Sequence, residues 1–149
     1  MSLALDSIFA TAIRQNTDLM TRIGQRLWST SIPYPDKEMT NVPVPYIIVT
    51  FDGLTNDQTT KDDPFESTDD QVSIGIIIAA ATRTQLAGLA QDVRSTIHGY
   101  MVENWDDTDI TGYQFSAEGV IYDQAKPCYG QTLRYVCDVT TEVNEQEND

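Results

Sequence analysis

The feature that most restricts the fold is an apolar run, Ile74 to Ala81, followed at once by a helix-start signal. The run has the length of a buried strand and is far shorter than the roughly 20 residues of a membrane-spanning helix. Thr82-Arg83-Thr84-Gln85 then matches a capping box, in which the first and last side chains each bond a free backbone amide. The sequence therefore predicts a strand over Gln71–Ala80, covered on both faces, and a helix that continues to about Val102.

Two segments near the start of the chain predict a helix and a strand. Apolar residues from Leu5 to Ile13 recur at helical spacing, and Asn16-Thr17-Asp18 offers a new N-cap for a short turn that ends at Gly24. Between Arg26 and Pro45 four prolines exclude a central strand. Tyr46–Phe51 is β-branched and aromatic, which predicts a strand.

The C-terminal third predicts a β-hairpin. Ile110–Tyr122 and Gln131–Val143 carry strand patterns and are joined by a turn around Lys126-Pro127. Together the segments predict an α+β fold, a mostly antiparallel sheet of four or slightly more strands with two main helices on one face. The 149 residues are expected to form a single domain over 1–149, with Cys137 as a small core residue.

Two polar segments predict exposed chain. The stretch from Asp52 to Asp70 has few apolar residues and is expected to be a long loop between two strands, mobile in a free subunit. Residues 144–149 are charged or amide and are expected to be a disordered tail.

The charge of the chain restricts its partners. Its 23 acidic and 9 basic residues give a formal net charge of −14 at pH 7, and the basic residues are scattered. Affinity for nucleic acid comes mainly from clustered Lys and Arg, so sequence-specific nucleic-acid binding and adhesion to an anionic membrane are both disfavoured.

No motif of the sequence predicts catalysis, a cofactor or a metal. The sole histidine, His98, has no nucleophile placed beside it, the glycines are isolated, and the acidic clusters lack the spacing of a calcium loop. We therefore expect a protein that is not an enzyme. The candidate interaction surface combines two tryptophans with the residues of the long loop, namely Trp28, Asp62, Asp63, Phe65, Glu66, Asp69, Asp70 and Trp105.

The order of the elements resembles one known family. The opening helix is followed by "LMTRIGQRLW" from Leu19 to Trp28, and Val44-Pro45-Tyr46 then begins an apolar strand. Strand Val72–Ala80, the helix from Thr82 to Met101 and the C-terminal strand pair complete the match over nearly the whole chain. In this order the segments resemble the tail terminator, or tail completion, proteins of long-tailed bacteriophages and prophages.

The resemblance implies a structural subunit without chemistry of its own. Proteins of this family form a ring, usually sixfold, that caps the tail tube and offers a surface for joining to the head. The expected partners are therefore further copies of the chain, the tail tube protein and head-tail connector proteins, and the expected location is the virion, or the host cytoplasm during assembly. Two other classes stay open, an adaptor module outside any phage and a metal-dependent hydrolase built on the acidic clusters.

Overall fold

A computed structural model describes residues 4–29, 43–56, 67–104 and 110–142. Within these residues, three helices lie at α1 (Leu5–Gln15), α2 (Thr17–Arg22) and α3 (Arg83–Glu103), and six strands form one sheet. The strands are β1 (Leu27–Trp28), β2 (Tyr46–Asn56), β3 (Ser67–Ala80), β4 (Ile110–Ala117), β5 (Ile121–Asp123) and β6 (Cys128–Glu142). The predicted α+β class is confirmed.

The sheet follows the order β1-β2-β3-β6-β4, and β5 pairs with β6 in line with β4. All pairings are antiparallel except the short parallel contact of β1 with β2. Strand β3 lies in the middle, with β2 on one side and the long β6 on the other. Because β1 is only two residues long, the sheet consists essentially of the four antiparallel strands β2, β3, β6 and β4.

One face of the sheet carries the core. Alternate residues of β3 on this helix-side face are fully buried, and helices α1 and α3 pack over them. This face receives Val72, Ile74, Ile76, Ile78 and Ala80 from β3 and Leu133, Tyr135 and Cys137 from β6. Cys137 is 0% exposed and both cysteines are free thiols, so its predicted core position is confirmed.

The predicted N-caps of α2 and α3 are confirmed, whereas α1 begins after Ala4 without a side-chain cap. The Asn16 side chain accepts a hydrogen bond from the Leu19 amide and begins α2. At α3 the Thr82 hydroxyl accepts from the Gln85 amide, while the Gln85 side chain accepts from the amide of Ala81. The amides of Leu19 and Gln85 belong to first helical turns, which leave them without an intrahelical partner, whereas the Ala81 amide lies just before the helix.

The described helices cover one face of β3, and on the other face Ala79 is also buried. On that other face Gly75 lies between polar side chains of neighbouring strands, and Arg134 forms ion pairs with Asp52 and Glu118 there. The Thr50 hydroxyl donates to the Asp52 carboxylate at 2.7 Å. Because Gly75 has no side chain, the side chains of Thr50 and Asp52 can lie across β3 at this position. The apolar run of the sequence therefore includes a position on the polar face of the sheet.

The predicted loop from Asp52 to Asp70 is wrong at both ends. Strand β2 continues to Asn56 and β3 begins at Ser67, and the two remain paired through Asn56 and Asp70. Backbone pairing, which needs no apolar side chain, extends the hairpin into polar sequence. The middle of the loop, residues 57–66, and the tail at 144–149 lie outside the described residues.

The predicted C-terminal hairpin is present, with one interruption. The first strand divides into β4 and β5 at residues 118–120, and the turn lies at residues 124–127. Val143, the predicted end of the second strand, lies outside the described residues. None of the described helices is long and apolar enough to cross a membrane.

Candidate functional site

The sheet leaves two strand edges without a partner among the described residues. Strand β4 pairs only with β6, so its other edge is open over Ile110–Ala117. Strand β2 pairs with β1 only at Ile47 and Ile48, which leaves its edge open from Thr50 to Asn56. Open edges present a row of backbone amides and carbonyls that another strand can bind.

A groove of about 660 Å³ lies beside the β4 edge, on the helix side of the sheet. It exists because α3 packs over β3 and β6, while β4 extends beyond the helix. Its lining comes from α3 (Ala90, Gln91, Arg94, Ser95 and His98), β4 (Tyr113, Phe115 and Ala117) and β6 (Gln131, Leu133 and Tyr135).

Two contacts join α3 to β4 across the groove. The guanidinium of Arg94 lies 4.2 Å from the centroid of the Phe115 ring, a cation–π distance. One turn further along α3, Nδ1 of His98 is 2.9 Å from the Tyr113 hydroxyl. Arg94 and His98 are therefore held on the wall of the groove and remain exposed to solvent.

The floor of the groove contains a buried hydroxyl without a partner. Tyr135 is 1% exposed and packs against the rings of Phe9 and Phe115 at centroid distances of 5.1 Å. Among the described residues its hydroxyl meets no hydrogen-bond partner. Burial raises the pKa of Tyr135 well above its ordinary value, so the hydroxyl keeps its proton and can donate.

The groove differs in charge from the chain as a whole. None of the described residues that line it is Asp or Glu, and Arg94 and His98 are its ionisable groups besides two tyrosines. In a chain with a net charge of −14, this region can approach another acidic surface with little like-charge repulsion.

The structure describes three of the eight predicted interaction residues, Trp28, Asp69 and Asp70, and it places Trp28 far from Asp70. Trp28 lies in β1 with its ring centroid 5.7 Å from that of Tyr46. Asp69 and Asp70 lie in β3 rather than in a loop, where Asp70 is nearly buried and pairs with Asn56. Trp28 pairs with Ile48 of β2, which pairs with Ile77 of β3. Asp70 lies seven residues from Ile77 and is therefore roughly 23 Å from the position of Trp28 along the strand direction. Asp62, Asp63, Phe65, Glu66 and Trp105 lie outside the described residues.

The groove residues were not predicted from the sequence. Arg94 and His98 are four residues apart on α3, and Tyr113 and Phe115 are two apart on β4, so each pair shares a face. That spacing was a usable signal for two faces. It could not indicate that the two faces meet, because this depends on how far β4 extends beyond α3.

The described residues offer no obvious metal centre. No three side chains of His, Cys, Asp or Glu within them come close enough together to hold an ion. The acidic residues of the hydrolase alternative fall partly outside this range, since Asp62, Asp63, Glu66, Asp106, Asp107 and Asp109 are not described.

Comparison with known proteins identifies the fold. No protein-family model matches the chain, and no curated protein matches it in sequence. A chain in the solved virion of a native gene transfer agent particle has a similar structure, with a TM-score of 0.60 at 14% sequence identity. The similarity covers 92% of this chain and 95% of that chain. The two chains therefore share one fold along nearly their whole length.

Proposed function

We propose that this chain is a structural protein of a phage or phage-like virion, and more specifically a tail terminator subunit that forms a ring at the end of the tail tube. The observation that carries the proposal is the fold shared end to end with a chain of a gene transfer agent virion. The sequence resemblance to tail terminator proteins supports the same role by a separate route. The protein would act by assembly and not by catalysis.

The open edges of the sheet support an assembling role. Among the described residues, the outer edge of β4 and the part of the β2 edge beyond β1 are unpaired, and further copies can complete the sheet at both. Two different edges on one chain favour head-to-tail contacts, which close into a ring when the rotation between copies allows it. The expected partners are other copies of the chain, the tail tube protein and a head-tail connector.

The polar face of the sheet suits a subunit that surrounds a channel. The Arg134 side chain on this face is neutralised by Asp52 and Glu118, so it presents no unpaired positive charge to a phosphate backbone. A net charge of −14 per copy likewise disfavours adhesion of DNA. A ring with this face toward its lumen would let DNA pass.

Deletion of the gene from its phage or prophage tests the role directly. We expect intact heads and tail tubes that fail to join, with joining restored by the wild-type gene supplied in trans. Normal virions after deletion would contradict the proposal. Attachment of the purified protein to one end of isolated tail tubes, seen by electron microscopy, distinguishes a terminator from another virion component.

A further inference from the structure

We propose that copies of the chain join head to tail, with the β4 edge of one copy pairing antiparallel with the β2 edge of the next. The inference rests on the proposed function, because it names the surfaces through which the ring would close. Within the part of the chain that the structure describes, the two edges are open over similar lengths, Ile110–Ala117 on β4 and Thr50–Asn56 on β2.

The direction of the free amides on β4 follows from one hydrogen bond. The Glu118 amide donates to the Thr132 carbonyl at 2.9 Å, in the same register that pairs Ala117 with Leu133. In an antiparallel pair, inward-bonding and outward-facing residues alternate. The amides and carbonyls of Tyr113, Phe115 and Ala117 therefore point away from β6. These residues also line the helix-side groove.

The same reasoning applies to β2. The Ile47 amide donates to the Arg26 carbonyl at 3.0 Å. The amides and carbonyls of the odd-numbered residues of β2 therefore point away from β3 as far as Phe51. A register shift between Phe51 and Gly53 reverses the alternation, and Leu54 then faces outward. Phe51 and Leu54 are partly buried against the helix-side core.

The two edges are therefore compatible in both direction and face. Strands β3 and β6 separate them and every neighbouring pair is antiparallel, so β4 runs antiparallel to β2. A rotation about an axis parallel to the strands preserves that relation between copies. Residues that bond directly across an antiparallel pair share one face of the sheet. On both edges, the residues whose amides and carbonyls point outward have their side chains on the helix side of the sheet. Pairing of the two edges therefore keeps the helices of all copies on the same face of the joined sheet.

The groove supplies the side-chain part of this interface. Pairing places Phe51 and Leu54 of the next copy beside Tyr113 and Phe115, and brings helix α1, which packs over β2, toward the open groove. The next copy is acidic, and the groove is lined by Arg94 and His98 without a carboxylate among its described residues. The matching strand edges therefore favour a second copy as the occupant, and the lack of carboxylates in the described lining keeps like-charge repulsion low there.

Proline substitutions on the two edges test the pairing in the full chain. Ala117→Pro removes one outward amide of β4, and Leu54→Pro removes one of β2; neither amide bonds within the sheet. The matched controls, Ala117→Ser and Leu54→Ala, change the same side chains but keep the amides. Thermal unfolding followed by circular dichroism identifies variants that remain folded, and Asn56→Pro replaces Leu54→Pro if the latter does not fold.

Sedimentation velocity at concentrations where the wild type assembles gives the readout. We expect each proline variant to weaken association by at least about tenfold, since each loses edge hydrogen bonds and gains a steric block, while the controls assemble like the wild type. Ala117→Pro keeps an intact β2 edge, and Leu54→Pro keeps an intact β4 edge. In a mixture these two edges can pair but the two altered edges cannot, so we expect dimers of the two variants and nothing larger.

The outcomes separate this inference from the proposed function. Folded proline variants that assemble like the wild type would overturn the edge pairing and leave a terminator ring standing on other surfaces. A mixture that stays monomeric, or that forms full rings, would also overturn it. A wild type that neither self-associates nor binds tail tubes would overturn both.

Discussion

The guanidinium of Arg94 lies over the ring of Phe115, 4.2 Å from its centroid, and this contact fastens helix α3 to the exposed edge strand β4. The strand has the neighbouring β6 on one side only, so the cation–π contact is one of the interactions that hold its helix-side face in position. Both residues line the groove on the helix side of the sheet.

Removing the Arg94 charge should loosen the edge strand. Arg94→Met is expected to lower the free energy of unfolding by about 0.5–1 kcal/mol, the range of an exposed cation–π pair. Arg94→Lys, which keeps a cation on a similar stem, should lose less. Urea unfolding of both variants checks the prediction, and equal losses would show that the ring contact contributes nothing.

The Tyr135 hydroxyl should cost stability in the free chain. It is buried without a partner among the described residues, so Tyr135→Phe removes an unsatisfied donor and keeps the packed ring. We expect the free energy of unfolding to rise by about 1 kcal/mol or more. The matched variant Tyr113→Phe removes a hydroxyl that is hydrogen-bonded to His98 and should gain nothing. A loss of stability in Tyr135→Phe would mean that a water or another group satisfies the hydroxyl.

The glycine on the polar face should be sensitive to size. A Cβ at Gly75 would lie 2.6 Å from a carboxylate oxygen of Asp52 and 2.7 Å from the Thr50 hydroxyl. Gly75→Ala should therefore displace the ion pair with Arg134 and lower the free energy of unfolding by about 1–3 kcal/mol. Gly130→Ala is the control, because its Cβ would meet only the Ile78 carbonyl oxygen, at 3.8 Å. Thermal unfolding of the two variants should differ clearly.

Alkaline pH should destabilise the fold partly through Cys137. Burial raises the pKa of this thiol from 9.0 to about 12, so the folded chain keeps a proton that the unfolded chain loses above pH 9. The unfolded state then binds fewer protons, and the free energy of unfolding falls as pH rises from 9 toward 12, by at most about 1.4 kcal/mol per pH unit.

The variant Cys137→Ala isolates this contribution. It should be less stable than the wild type at pH 8, yet its stability should fall less steeply between pH 9 and 10. Urea unfolding at closely spaced pH values gives both slopes. Identical slopes would contradict the assignment of the alkaline loss to Cys137.

Local signals of the sequence predicted the elements that carry a core or a cap. The apolar run of β3, the capping box at Thr82 and Gln85, and the N-cap at Asn16 each have a short-range physical cause, so their structures followed from the residues themselves. The polar ends of the β2–β3 hairpin did not, because Asp52–Asn56 and Ser67–Asp70 are strands through backbone pairing and not through an apolar pattern.

The candidate site was beyond prediction for a different reason. Whether Tyr113 and Phe115 are covered by a helix depends on the width of the sheet relative to α3, which is a property of the assembled fold. For the predicted surface residues Trp28 and Asp70, the local sequence suggested a shared interaction surface, but the fold places the two residues far apart.

Sedimentation velocity of the purified full chain at about 0.15 M and 1 M salt tests whether the chain assembles through uncharged edges. Every copy carries a net charge of −14, so assembly brings like charges together, and their repulsion is screened as the Debye length shortens from about 8 Å to about 3 Å. The interface proposed above consists of backbone pairing and apolar contacts, which salt does not weaken in the way that it weakens ion pairs. We expect one closed oligomer of defined size whose share grows with salt. A chain that stays monomeric under all conditions, or an oligomer that dissociates as salt rises, would contradict it.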